Sequence, residues 1–420
     1  MKQYSFEYGK GHIQFELDES RVIAELEMAE TPVLEDPEGD ILYALDHPID
    51  SKPLKDIVKP GQTVTIIVND ATRVANSHVF APILLNYLND CGVPDSHIKI
   101  LFALGTHRDM TREEMTHEVG QEVANRVQMI NSNSKIDDDF EYVGTTSFGT
   151  DVKLNKHAVQ ADHIICTGCV VHHFFAGFGG GRKAILPGVA AYETIRQNHS
   201  LMLNPNASIG HLEGNPVYED QIEGVKMCPP SFLLNVFLNG EKEFTGIFAG
   251  NYITAHKKAC EFVEKQNGVE IEEEAPIVIA SCGGSPKDIN LSQSQKTMDN
   301  AENAVKKGGV VILLAECPEG SGSPVFDETI NTYDSIDAIE ESVRKDFQIG
   351  RHKAYAVTRL MRKVDFLLLS KFDDDYARKA FFTPVKSVEE ALKIAEEKVG
   401  HDAKIILMPH GSYTVPVLKK

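Results

Sequence analysis

Residues 166–188 read CTGCVVHHFFAGFGGGRKAILPG, two adjacent histidines running into an aromatic pair, a glycine cluster and a basic pair. Ahead of them His163 to Thr167 reads as a short buried strand, and after them Ala191 to Arg196 reads as the start of a helix. Strand, glycine loop and helix in that order make an anion cradle, because glycine gives up side-chain packing to let backbone N–H groups close on a ligand. The named phosphate motifs do not fit. Arg182-Lys183-Ala184 follows Gly181 where a Walker A loop needs Lys and then Ser or Thr, and the Rossmann glycine spacing is missed. A surface loop that happens to be rich in glycine is the competing reading, and it leaves the aromatics and the histidines unexplained. The stretch implies a charged or phosphorylated ligand.

Working outward, strands and helices alternate. Thr63 to Asn69 is a strand, Val79 to Cys91 has apolar residues at helical spacing, and His97 to Ala103 is the next strand. Thr111-Arg-Glu-Glu114 is a capping box that opens a helix. Residues 265–276 are polar and acidic and mark a linker. Beyond it, strands are expected at 277–281, 310–315, 364–370 and 404–408, with helices up to about 306, near 335–346 and 352–362, and over 388–399. The expected fold is α/β with two domains, each a sheet flanked by helices, and an active site in the crevice between them. Residues 1–268 form the N-terminal cofactor-binding and catalytic domain, and 275–420 a C-terminal doubly wound domain. The alternation within residues 2–30 predicts a β-hairpin, and 42–44, among prolines, reads as irregular.

Composition bounds the function. At 420 residues the chain exceeds one ordinary core, and a net charge of −20 argues against nucleic acid as a partner. No run of about 18 apolar residues and no apolar signal core occurs, so a cytoplasmic protein without a membrane partner is expected. Seven cysteines include one C-x-x-C, Cys166 to Cys169, with no second pair to complete a zinc site; buried reduced thiols are the expectation.

Open α/β sheets keep their chemistry at strand ends. Polar clusters stand there: Asn69-Asp70-Ala71-Thr72-Arg73, then Gly105-Thr106-His107-Arg108, then His172-His173. Each alone could be a turn with a helix cap; three in succession favour a shared cleft. The candidates are Asp70, Arg73, His107, His173, Lys183 and His199, with Gln293 and Lys296 on the first turns of a second-domain helix. Arg73 and Lys296 offer counter-charges to a carboxylate, and two histidines could work as acid and base on opposite faces of a substrate carbon. That arrangement suits a racemase.

These residues at these spacings resemble the lactate racemase family, which carries a nickel-pincer nucleotide. The motifs are Asn69 to Arg73, Gly105 to Arg108, His173 with Lys183 ten residues later, His199 sixteen further, and Pro286-Lys-Asp-Ile-Asn290 with Gln293 and Lys296. The resemblance spans nearly the whole chain. It implies a cofactor derived from nicotinic acid (pyridinium-3,5-bisthiocarboxylic acid mononucleotide nickel) that can be bonded covalently to Lys183, with His199 as a nickel ligand. Asp70, Gly179, Gly180, Gly181 and Arg182 are expected to bind the cofactor, the glycines and Arg182 receiving its phosphate. It further implies that His107 and His173 are the acid/base pair, that Arg73, Lys296, Gln293 and Ser292 hold the substrate, and that separate biosynthesis proteins make the cofactor. The implied activity is inversion at C2 of a 2-hydroxy acid by transient hydride transfer to that cofactor, giving a planar 2-oxo acid between the two isomers.

Two departures bear on the substrate. Ser292 stands where lactate racemases of this family have a tyrosine before the glutamine, and the chain has no tryptophan where they close one over the substrate. A roomier pocket is expected, suited to a larger or more polar acid such as a sugar acid, with Arg359 as an additional contact. Lactate racemase proper, an oxidoreductase that releases the 2-oxo acid, and an anion- or cofactor-binding protein without turnover are the alternatives.

Overall fold

The structure, a computed structural model, describes residues 1–27 and 32–419. It divides into two compact units, Met1–Ala29 with Gln266–Lys420, and Glu30–Lys265. The sequence had suggested that the first domain runs from residue 1 to 268; the opening segment belongs instead with the C-terminal half. Residues 28–31 and Lys420, within the expected domain bounds, lie outside the described residues.

The reason is packing. Strands β1 (Lys2–Tyr8) and β2 (Gly11–Leu17) form the expected hairpin, turning at Gly9-Lys10. Its inward residues Tyr4, Phe6, Phe15 and Leu17 share one core with Ile277, Ile312 and Leu407 of the C-terminal sheet. Strand β3 (Val22–Glu25) then joins the edge of that sheet. An alternating strand has one apolar face and must bury it where a matching face exists.

The middle unit begins with helix α1 (Pro37–Asp46), capped by Asp36 and packed on the core through Ile41 and Leu45, where the sequence reading expected irregular chain. Prolines flanking the segment suggested a break, but proline at the first helical position is compatible with a helix. A six-stranded sheet follows. Strand β4 (Val64–Asn69) lies at its centre, helix α2 (Ser77–Asp90) crosses over to β5 (Ile98–Ala103), and β6 (Gln128–Asn131) completes that side. The chain passes through a ribbon of β7 (Phe140–Thr145) and β8 (Asp151–Asn155), then returns on the other side of β4 as β9 (His163–Cys169). The stub β10 (His172–His173) pairs with β11 (Gly177–Phe178), and helices α3 (Tyr192–Ser200) and α4 (Pro216–Lys226) follow. Strand β12 (Phe232–Leu238) lies beside β9, β13 (Phe244–Gly250) is the antiparallel edge, and helix α5 (Thr254–Asn267) closes the unit. The capping box at Thr111 and Glu114 forms with both hydrogen bonds.

In the C-terminal unit the segment read as a linker contributes β14 (Gly268–Ile271), paired with the C-terminal strand Val415–Leu418. Its six-stranded sheet is wholly parallel. Strand β15 (Ala275–Ser281) is central, with β16 (Val305–Leu314), β17 (Asp365–Leu369) and β18 (Thr383–Val385) on one side, and β19 (Ile405–Met408) and then β3 on the other. The sequence-predicted strands and the helix over 388–399 are present; the helix predicted to about 306 is α6 (Leu291–Ala301), ending earlier. Phe6 is 2 % exposed and meets Phe15 edge-on, so Phe6→Ala should destabilise the C-terminal unit by about 3–5 kcal/mol, read by denaturant melting of the full chain.

Candidate active site

In the middle sheet the chain leaves β4 toward β5 and later returns beside β4 as β9, so the strand order reverses at β4. Ligands of open α/β sheets bind outside the carboxyl ends of the strands at such a reversal. The three polar clusters all stand there, after β4, β5 and β9 in turn.

Asp70, 3 % exposed, binds His107: its Oδ2 lies 2.5 Å from His107 Nδ1, while Thr72 Oγ1 donates to its Oδ1 at 2.8 Å. Burial works to raise the Asp70 pKa, but the hydrogen bond and charge of His107, the Thr72 bond and the nearby Arg73 together hold it below the ordinary carboxylate value. An ionised carboxylate only accepts, so a proton of His107 sits on Nδ1, and in the neutral imidazole the lone pair is at Nε2. Asp70, expected to bind the cofactor, is therefore the residue that orients His107. Arg73 is exposed, its guanidinium reaching only as far as the Thr72 carbonyl and hydroxyl, at 3.3 and 3.4 Å. Behind Asp70, Ser77 donates to Glu118 at 2.7 Å. Burial pushes the Glu118 carboxyl up to about 7, and the charge of Asp70 adds to the rise.

The glycine stretch is organised on Phe175, 3 % exposed. The ring centroids of His173 and His199 lie 4.6 and 5.0 Å from that of Phe175, and Lys183 Nζ is 5.7 Å from it. The proposed acid/base, cofactor and metal residues thus meet on one aromatic surface that the sequence reading named only as part of an aromatic pair. His173 Nδ1 accepts from the Ala176 N–H at 3.3 Å. A backbone N–H can only donate, so neutral His173 carries its proton on Nε2, opposite to His107. Gly177 makes the turn possible: its φ is +73°, and a Cβ there would sit 2.3 Å from the His211 carbonyl oxygen. His172 is a packing residue, its ring 4.8 Å from that of Phe178 and its pKa lowered to about 4 by burial.

Arg182 overturns an expectation. It is completely buried and points inward, with Nη2 donating to the Ala176 carbonyl at 2.6 Å, Nε to Gln221 Oε1 at 3.0 Å, and its guanidinium over the Tyr218 ring at 4.7 Å. Burial lowers its pKa to about 10, which leaves it cationic at neutral pH. Every face is occupied by protein, so it is not placed to receive a phosphate. Two glycine N–H groups are also spent internally: Gly179 donates to the Val171 carbonyl at 2.7 Å and Gly181 to Asn235 Oδ1 at 2.8 Å. A Cβ on Gly181 would lie 2.5 Å from the buried ring of His256. These glycines serve close packing of the loop on α5 and β12, and the open anion cradle expected from the sequence is not formed by Gly179 and Gly181.

In the C-terminal unit Asn290 caps α6 by accepting from the Gln293 N–H, and Gln293 and Lys296 are exposed one turn apart. Ser292 donates its hydroxyl to the Ser321 carbonyl at 2.8 Å, leaving it only acceptor capacity toward a substrate. Arg359, expected as a further substrate contact, is paired with Asp299 at 2.9 Å.

Among the described residues no group of three or more His, Cys, Asp or Glu side chains could hold a metal ion. A metal at His199 would have to arrive with its other donors, which is how a pincer-held nickel would come. An imidazole and an amine on one aromatic ring fit such a group, while Arg182 does not fit the phosphate role assigned to it. No helix among the described residues is long and apolar enough to cross a membrane.

The fold, with polar clusters after β4, β5 and β9 at a strand-order reversal, is that of an α/β enzyme. Residues 8–210 match the lactate racemase N-terminal domain and residues 270–416 the lactate racemase C-terminal domain. The chain is 35 % identical over 98 % of both chains to the lactate racemase of Thermoanaerobacterium thermosaccharolyticum, and 33 % identical over 88 % of both to that of Lactiplantibacillus plantarum. The apoprotein structure of the former superposes with a TM-score of 0.90 at 34 % identity over the whole of both chains. A Thermotoga maritima protein, 21 % identical over 93 % of this chain and 100 % of its own, shares the fold with a TM-score of 0.67. The chain belongs to the lactate racemase family and is an isomerase of the racemase type.

Glu118 generates a pH prediction. The native state keeps its proton to about pH 7 whereas the unfolded chain releases it near 4.5, so the native state binds more protons in that window and stability falls as pH rises through it. Glu118→Gln should remove that fall, gaining about 2 kcal/mol at pH 8 relative to its difference from wild type at pH 4, read by urea melts at the two pH values.

Proposed function

We propose that this enzyme inverts C2 of a 2-hydroxy carboxylic acid with the help of a nickel-pincer nucleotide. The observation that carries the reading is the opposed neutral tautomers of the two histidines, Nδ1–H on His107 against Asp70 and Nε2–H on His173, after β5 and β9, the two strands that flank β4. Lys183 and His199 would hold the cofactor, Lys183 by covalent attachment and His199 through nickel. Bound there, the cofactor supplies a reversible hydride acceptor, which the weakly acidic carbinol C–H demands.

The chain's own residues supply the rest. His107 Nε2 takes the hydroxyl proton of one isomer, and Asp70 stabilises the imidazolium that forms. The opposite isomer is completed when its oxygen takes a proton from His173 as the imidazolium, which returns to the neutral form whose Nδ1 accepts from the Ala176 N–H, and the roles reverse in the other direction. Arg73 draws the substrate carboxylate as an exposed cation. Ser292 and the absence of tryptophan favour an acid larger or more polar than lactate, with Ser292 accepting a hydrogen bond from a substrate hydroxyl. A second reading, lactate racemase proper, is favoured by the names of the relatives.

Protein made together with cofactor-biosynthesis proteins and loaded with nickel, offered single isomers from lactate and malate to sugar acids, should invert a sugar acid faster than lactate. Equal or faster lactate inversion establishes the second reading, and nickel-loaded protein that inverts no acid overturns both. Asp70→Asn offers His107 an amide in place of an ionised acceptor and should slow inversion about 10²–10⁴-fold with nickel content unchanged.

A further inference from the structure

We propose that Asn198 is a positioning residue which fixes His199 in the Nδ1–H tautomer, its amide oriented by the Val217 carbonyl and Asp220 on one side and by the Arg182–Gln221 relay on the other. The inference rests on the reading of His199 as a nickel ligand and adds how the protein prepares that ligand. Arg182, Asn198, Asp220 and Gln221 are all completely buried, and none has a role assigned from the sequence motifs except Arg182, whose expected phosphate contact the structure excludes.

The relay runs from α4 to α3. Arg182 Nε donates to Gln221 Oε1 at 3.0 Å, Gln221 Nε2 to Asn198 Oδ1 at 3.0 Å, and Asn198 Oδ1 lies 3.3 Å from His199 Nδ1. On its other side Asn198 Nδ2 donates to the Val217 carbonyl at 3.1 Å and to Asp220 Oδ2 at 2.7 Å. Asp220 also accepts from Thr146 and Thr150, at 2.5 and 3.0 Å.

Side-chain amides are ordinarily ambiguous by a half-turn, but both ends of this chain are not. A guanidinium has no lone pair to accept with, so Gln221 must turn its oxygen to Arg182 and its NH2 to Asn198. A backbone carbonyl has no proton, so Asn198 must turn its NH2 to Val217. Both requirements place Asn198 Oδ1 at His199 Nδ1, and an amide oxygen can only accept. His199 Nδ1 therefore carries the proton, and the lone pair that could bind a metal is at Nε2. Outer hydrogen bonds of this kind fix the tautomer and ring orientation of metal-binding histidines and raise their basicity. A purely structural role for Asn198, tying α3 to α4, would require the bonds to Val217 and Asp220 but would be indifferent to the His199 tautomer.

Histidine-selective 15N labelling of the apoprotein at about pH 9, where imidazoles are neutral, reads the tautomer directly. The His199 signal is identified by its loss in His199→Gln. Wild type should show the proton on Nδ1. Asn198→Leu, which removes the acceptor facing His199 Nδ1 in a side chain of similar size, should convert His199 to a mixture containing Nε2–H, and nickel retained by cofactor-loaded protein through dialysis should fall about 10-fold. Should that variant fail to melt cooperatively, Asn198→Ala removes the same acceptor with less steric demand, and the same change is expected. A wild-type proton on Nε2, or a folded variant with unaltered tautomer and nickel retention, overturns the proposal. If His199→Gln itself keeps its nickel, the ligand reading fails, while the tautomer result stands separately.

Discussion

Putting a guanidinium where no water reaches costs several kcal/mol unless its N–H groups and its charge are met by the protein. Arg182 sets that requirement at the centre of the middle unit. The Ala176 carbonyl, Gln221, the face of Tyr218 and the buried ring of His256 surround it. Beyond Gln221 the hydrogen bonds continue through Asn198 to the buried Asp220. The loop carrying Phe175 must fold over the cation to supply a carbonyl, and Gly181 must lack a side chain so that His256 can approach. The neutral state of His256, its pKa lowered to about 3 by burial and by Arg182, belongs to the same constraint. What looks in sequence like a ligand cradle is the protein wrapping its own cation, and the surface left outward is the one that gathers His173, Lys183 and His199.

The second determinant is topological. Because the chain leaves β4 on one side and returns on the other, the loops after β4, β5 and β9 converge without needing to be close in sequence. Asp70 and His107, from two of those loops, make the short contact that gives one histidine its basic nitrogen. The Ala176 N–H gives the other histidine the opposite tautomer from within its own turn. Two chemically equal side chains are made unequal by one carboxylate and one amide.

Strands buried on both faces, such as Val64–Asn69 and Ile277–Ser281, were legible as apolar runs, and the capping box at Thr111 as a local code. The clusters at the strand ends were legible too, since exposed turns have little other reason to place Asp, Arg and His in register. What the sequence hid was direction. Gly179–Gly181 and Arg182 carry the letters of an anion site, and only the fold reveals that the side chain faces inward. Asn198 and Gln221 were illegible because a buried amide on a helix resembles any polar surface residue until its partners from other elements arrive. The opening strands were read correctly as a hairpin and assigned to the wrong neighbour, because alternation reports that one face is apolar and not which sheet will cover it.

That last placement shapes how the molecule comes into being. The edge of the C-terminal sheet is β3, and the Arg21 beside it donates to the Ala403 carbonyl, 382 residues further along the chain. At the usual pace of about 5–20 residues per second, the ribosome exposes β1 to β3 tens of seconds before their partners exist. Tyr4, Phe6, Phe15 and Leu17 must wait that long with their apolar face unmatched, while the middle unit has every residue it needs and can fold in the interval. Birth order and folding order are thus inverted: these strands are made before the middle unit and housed after it.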